Sequence, residues 1–344
     1  MVIPVLLLIV GFVVLIKGGD WFVDGASGIA RRFRIPELLI GATVVSIGTT
    51  LPEVLVSANA AIQGSGSIAY GNAIGSIICN TSLIAALTIA VKPGPVATKS
   101  MKVPVTFFFV AAVFYSAMAY FFGTFSRTTG IILLAGFVVY MIINIVNAKK
   151  AMNTIETIVG EEIVSEERLS EISGDEHVVE SEEKGTKDSL LKDIVMLVLG
   201  AALIAVGADL LVDNAIIIAE KLGVSEKVIG LTIVALGTSL PEFVTAITSL
   251  IKGHGALSLG NIIGANIFNL VLVSGMAVTI SPFEVPVASQ ISGMNASLVI
   301  DIPVMLLVMG ILTIPTLLSK KLSRWQGISM LGIYVAFCAV QFIL

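Results

Sequence analysis

The chain has 344 residues, of which 56% are hydrophobic and 13% charged, with a mean hydropathy of +1.01. A water-soluble domain is about a quarter charged, so the composition excludes one and indicates an all-α polytopic membrane protein. Continuous apolar runs beyond the ~18-residue spanning threshold exclude a β-barrel, and two distant cysteines, Cys79 and Cys338, exclude a disulfide framework.

The first helix is expected over Val2–Ala30. At ~1.5 Å per residue it is roughly 43 Å long and should tilt in a ~30 Å core. It has no basic n-region and no cleavage site, so it reads as a spanning helix and not a signal peptide. Helix 2 follows over Pro36–Ile62, and helix 3 over Ile68–Val91 ends at Lys92-Pro93-Gly94-Pro95. Helices 4 and 5 are expected over Val103–Phe122 and Thr128–Asn147. Between Ala151 and Asp193 lie 13 acidic and 4 basic residues, so the formal net charge of −4 belongs to this stretch. It lacks aromatics and is expected to be a solvated loop with transient helix at most. Helices 6 to 10 are expected over Leu190–Glu220, Lys227–Ile251, Ala256–Ile280, Met294–Leu318 and Trp325–Ile343.

Loops after odd-numbered helices hold Arg31, Arg32, Arg34, Lys92, Lys99, Lys102, Lys149, Lys150, Lys252, Lys320, Lys321 and Arg324. The opposite side holds Arg127, Lys221 and Lys227. The positive-inside rule then makes the first side cytoplasmic. A multi-pass plasma-membrane protein is expected, with both termini outside and loop 151–189 inside.

A shift of 189 residues superposes the halves without a gap. Asp20 falls on Asp209, Asp24 on Asp213, Glu53 on Glu242, Asn72 on Asn261 and Asn80 on Asn269. About 17 of 40 positions are identical between 41–80 and 230–269. The expected organisation is a first repeat over 1–150, the acidic loop over 151–189 and a second repeat over 190–344. Five helices per copy make the second copy enter from the opposite side. That is the inverted repeat of secondary transporters, whose sites lie near the midplane between repeats.

The duplicated core is Gly48-Thr49-Thr50-Leu51-Pro52-Glu53, returning as Gly237-Thr238-Ser239-Leu240-Pro241-Glu242. A carboxylate inside a spanning segment is a functional candidate by default. Proline has no N–H, so the carbonyls of Gly48 and Gly237 lose their usual partners. Ser46, Thr49, Thr50 and Glu53 share one helical face, as do Ala235, Thr238, Ser239 and Glu242. Asn72, Ser76 and Asn80 line a face of helix 3, and Asn261, Ala265 and Asn269 line one of helix 8. Two buried carboxylates repel unless protons or a cation intervene. Ca2+ cancels both charges, and hydroxyls, amides and freed carbonyls suit its shell of about 6–8 oxygens. Na+ is equally oxygen-seeking and suits several smaller sites made of the same atoms.

GTTLPE with GNAIGSIICN, and GTSLPE with GNIIGANIFN, resemble the two α-repeats of the cation/calcium exchanger superfamily, particularly prokaryotic sodium/calcium exchangers. The resemblance covers the ten-helix core and leaves out the acidic loop. It implies a Na+/Ca2+ antiporter without a resident cofactor, working in the bilayer without nucleic acid or an obligatory protein partner. It implies Glu53 and Glu242 as Ca2+ ligands shared with Na+, with carbonyls from Thr49 and Thr238. It implies Thr50, Ser239, Ser76, Asn80, Asn269 and the carbonyls of Ser46 and Ala235 around Na+, with Asn72, Asn261 and Ala265 as further lining. It also implies that helices 1 and 6 slide across the other eight. Ala265 stands where relatives often carry Ser, which removes one hydroxyl. Asn269 stands where potassium-dependent relatives carry Asp, which argues against K+ coupling.

The rival reading is an H+/Ca2+ antiporter using the same glutamates, although proton-coupled relatives tend to carry GNAxE-like motifs. A cation channel is disfavoured by the inverted repeat. No nucleophile–base set or nucleotide motif supports an enzyme. Asp20, Asp24, Asp209 and Asp213 are expected to make structural or gate contacts, and Asp301 has no counterpart across the repeat.

Overall fold

The computed structural model describes residues 2–173, 186–222, 237–287, 290–291 and 293–343, with side chains of 151–189 left out. Its helices are α1 (Val2–Arg32), α2 (Glu37–Ile62), α3 (Gly66–Val91), α4 (Thr98–Phe122), α5 (Arg127–Ser173), α6 (Thr186–Lys221), α7 (Leu240–Ile251), α8 (Gly255–Ile280), α9 (Ser297–Ser319) and α10 (Arg324–Ile343). Eight of these contain spans long and apolar enough to cross a membrane, and α7 is a shorter apolar helix. Exposed Leu, Ile, Val and Phe side chains crowd the outer faces, as a lipid-facing surface requires.

The two repeats meet through reciprocal contacts. In α1 and α6 a Cβ placed on Gly18 would lie 3.0 Å from the Gly200 carbonyl, and one on Gly200 would lie 2.9 Å from the Gly18 carbonyl. Gly11 and Gly207 oppose each other in the same way, at 3.0 and 2.9 Å. Under the 189-residue shift Gly11 becomes Gly200 and Gly18 becomes Gly207. Each contact therefore maps onto the other, the signature of a two-fold axis between the helices. Without side chains there, the antiparallel backbones touch, which is how membrane helices gain packing energy in lipid.

The loops repeat the pattern. Strand β1 (Gly94–Pro95) pairs with β6 (Lys321–Leu322), and β2 (Thr124–Phe125) pairs with β3 (Phe283–Glu284). In each ribbon, the segment after the third helix of one repeat pairs with the segment after the fourth helix of the other. A hairpin of β4 (Gln290–Ile291) and β5 (Met294–Asn295) precedes α9.

The main apolar core joins α3, α4, α5, α8, α9 and α10 around Phe108, Tyr115, Phe268 and Met305. A separate cluster holds α1 and α6 against the start of α2, through Leu15, Phe22, Val23, Ala26, Ile40 and Ile204. The long pair thus packs on the bundle through its own interface.

The acidic stretch departs from the expectation of transient helix at most. Helix α5 continues past the membrane to Ser173, and α6 begins at Thr186. Glu, Ala and Ile are compatible with helix, and a preformed helical end removes the nucleation cost that an isolated segment faces.

Candidate cation site

Glu53 lies on α2 and Glu242 on α7, both 0% exposed. Burial puts both carboxylates in one low-dielectric region, where their charges repel. Thr49 and Thr50 on α2 stand near the Glu242 carboxylate across the repeat boundary. Among the described residues, none of the four carboxylate oxygens has a partner at hydrogen-bond geometry. The buried Thr50 and Ser239 hydroxyls, and both amide atoms of Asn80 and of Asn269, are also unpartnered. The group is rich in oxygens and short of donors.

The helices that carry these groups are locally irregular. Asn80 opens a π-helical turn in α3 (Asn80–Ala85), and Asn269 opens the matching turn in α8 (Asn269–Val273). Such turns leave backbone groups outside the regular ladder and gather at functional sites. Helix α2 packs against the α8 turn, and α7 against the α3 turn, so each glutamate helix meets the asparagine turn of the other repeat. A further π turn, Gly41–Val45, lies in α2, where the buried Tyr140 hydroxyl donates to the Ala42 carbonyl at 3.0 Å.

The two hexapeptides adopt different backbones. Helix α2 runs through Pro52 without interruption. The second copy turns at Thr238 and Ser239, and α7 starts afresh at Leu240 with Pro241 in its first turn, where proline fits a helix best. The expected continuous helix over Lys227–Ile251 is therefore broken at the site. Its part over 223–236, with Ala235, lies outside the described residues.

The remaining candidates divide. Ser46, Ser76, Asn261 and Ala265 are buried, while Thr238 and Asn72 are partly exposed. Ser46 donates to the Asn261 backbone carbonyl at 3.0 Å, and Thr49 donates to Asn261 Oδ1 at 3.2 Å. These bonds tie α2 to α8. Asn72, the counterpart of Asn261, instead donates to the Glu53 carbonyl at 3.1 Å and to Ser57 Oγ at 2.8 Å, within its own repeat.

A Cβ on Gly260 would strike the Leu38 carbonyl, and one on Gly264 would strike Ser46 Oγ, so the seam between α2 and α8 is shut. Their counterparts, Gly71 and Gly75, have nothing within 4 Å of that position among the described residues, and the segment that corresponds to Leu38–Ser46 lies outside them. A cavity of about 10 Å3 beside Gly48, Thr49, Pro52 and Pro241 is closed by Phe22 and Ala201 of α1 and α6. That is about the space of one water, so the long pair lies directly over both prolines.

Two buried hydroxyls went unread in the sequence. Thr245 and Ser249 are 0% exposed and unpartnered. They stand three and seven residues after Glu242, on its helical face, which was the available signal.

A model of the Sodium/calcium exchanger protein family matches residues 3–146 and 192–343. The chain belongs to the sodium/calcium exchanger family. It is a multi-pass membrane antiporter of cations and not an enzyme. The sodium/calcium exchanger MaX1 of Methanosarcina acetivorans is 30% identical over 367 residues, covering 98% of each chain. The inner membrane protein YrbG of Escherichia coli is 37% identical over 287 residues, covering 83% of this chain and 82% of its own. The solved structure of the sodium-calcium exchanger NCX_Mj, soaked with Na+ and Sr2+, superposes with a TM-score of 0.78 at 30% identity, covering 98% of both chains. The family match confirms the expected fold of ten helices in two inverted repeats.

Proposed function

We propose that this family member exchanges Na+ for Ca2+ by alternating access, with Glu53 and Glu242 as anionic ligands shared by both ions. The carrying observation is the pair of fully buried carboxylates with four unpartnered oxygens. Charge buried this way is tolerated only when cations or protons compensate it. Ca2+ between the carboxylates takes further oxygens from Thr49 and Thr238. Na+ uses the same carboxylates with Thr50, Ser239, Ser76, Asn80 and the Ser46 carbonyl. The neutral Asn269 leaves no third carboxylate, which favours coupling without K+. The likeness to MaX1 and NCX_Mj, both named as sodium/calcium exchangers, supports Na+ as the coupling ion.

With both termini outside, the shut α2–α8 seam faces the cytoplasm. The α1–α6 pair, with its own interface and its position over the prolines, is the element whose displacement switches access.

The test is Ca2+ flux into proteoliposomes with Na+, K+ and H+ gradients imposed one at a time. An outward Na+ gradient is expected to drive Ca2+ uptake, and a K+ gradient is not. Equal uptake driven by a pH gradient alone would replace Na+ coupling with proton coupling.

A further inference from the structure

A second opening lies away from the carboxylates and shares no lining residue with them. It is a cavity of about 340 Å3 between the ends of α3 and α7 and the starts of α2 and α8. Its size falls within the ~300–1,000 Å3 range of small-molecule sites. Leu38, Ile89, Leu259 and Ile262 make its buried apolar wall. No acidic residue lines it among the described residues, and Glu37, next to Leu38, is engaged by His254 at 2.7 Å.

Its mouth is cationic. Lys92 is exposed there and donates to the Leu250 carbonyl at 3.5 Å. No ion pair engages Lys92 among the described residues. Arg324 donates to the Ala90 carbonyl at 2.9 Å, which places its guanidinium beside the same end of α3. Lys321 pairs with Pro95 in the β1–β6 ribbon, whose residues form the rim. The 14-residue first segment of α8 also starts at this mouth, and no side chain caps its N-terminus. Free N–H groups there add to the positive field.

We propose that this cavity binds one anionic phospholipid, with its phosphate at Lys92 and part of an acyl chain against Leu38, Leu259 and Ile262. The position supports a lipid over a soluble anion. The cavity sits where several helices end, at the level of the headgroups, and lies on the side where basic loops gather. Basic pockets between helices on that side suit anionic lipid headgroups, whereas a free phosphate gains nothing from an apolar wall. Leu38 and Leu259 also border the shut α2–α8 seam, where Gly260 meets the Leu38 carbonyl. A bound lipid therefore braces that seam from the membrane side.

The test is native mass spectrometry of the full chain, taken from vesicles of phosphatidylcholine alone or mixed with phosphatidylglycerol. The wild type is expected to retain one phosphatidylglycerol in preference to phosphatidylcholine. Lys92→Gln is expected to weaken that retention about fivefold, the value of one basic side chain near a membrane surface. Ala256→Trp, at an exposed lining position, is expected to abolish it by filling the mouth. Added inorganic phosphate should not displace the lipid. Equal retention by the wild type and both variants, or displacement by phosphate, would overturn the proposal. Ion exchange in phosphatidylcholine alone verifies that each variant is folded. The readout is binding, so it stands apart from the question of the coupling ion.

Discussion

The ammonium of Lys252 lies 2.8 Å from Oδ1 of Asp24 and joins α1 to the loop between α7 and α8. It also approaches Asp20, bonding its carbonyl at 3.0 Å and lying 3.4 Å from Oδ1. The 189-residue shift puts Gln63 in place of Lys252, and Asp209 and Asp213 in place of the aspartates. Asp209 and Asp213 are exposed and make no ion pair among the described residues. A charge latch therefore exists at one end of the long pair and has no equivalent at the other among the described residues.

The latch should bias the access equilibrium toward the state seen here. Both partners are partly exposed, so the contribution is about 0.2–1 kcal/mol. The readout is thiol labelling of Gly71→Cys, an exposed position on α3, in a chain carrying Cys79→Ala and Cys338→Ala. Lys252→Gln should slow labelling by up to about fivefold. An unchanged rate would leave the latch without a conformational role.

Glu53→Gln and Glu242→Gln should each lower Ca2+ transport by at least about 30-fold, because removing one member of a buried charge set costs ~2–5 kcal/mol. Both variants should remain folded, since the amide keeps the shape and removes a repulsion. Near-normal Ca2+ uptake by either variant would refute their assignment as ligands.

Much of this architecture was legible before any coordinates. Spanning helices declare themselves by length and apolarity, and a gapless duplication with five helices per copy fixes the inverted repeat. The paired glutamates stood out because a buried carboxylate is costly. The asymmetry was not legible. Nearly identical hexapeptides give a continuous helix at Pro52 and a broken one at Ser239, because the surrounding packing, not local propensity, sets the backbone. Asn72 and Asn261 hold corresponding positions, yet one bonds within its repeat and the other across it. A sequence that encodes two alternating states cannot announce which of them one structure holds.

Deleting residues 157–183 should leave exchange within about twofold of the intact chain. The family match skips 147–191. The deleted stretch is rich in charge and has no aromatic residue, the composition of a segment that does not build a core. A stable, monodisperse deletion protein with no Ca2+ flux would make this segment a working part.

Exchange should be electrogenic. Two carboxylates and neutral Asn80 and Asn269 make a site that is neutral with Ca2+. With three Na+, the number that the family resemblance implies, the site carries about one positive charge. A unit charge crossing the full field gains about 2.3 kcal/mol per 100 mV. In vesicles clamped with a K+ ionophore, an inside-positive potential should raise Na+-driven Ca2+ accumulation. Insensitivity of both rate and final level to potential would favour two Na+ per Ca2+, or a neutral proton-compensated cycle, instead.

The glycines of the long pair act as the marks of a ruler. Gly11, Gly18 and Gly25 recur every seven residues on α1, and Gly200 and Gly207 keep the same interval on α6. Seven residues advance a helix by about 10.5 Å, so glycine meets glycine again only after a slip of that length. Any shorter slip pushes a bulky side chain into a neighbouring backbone. The two helices are consequently locked in step, and thermal motion that shifts one must carry the other. Duplication produced two rods, and this spacing welds them into one piston.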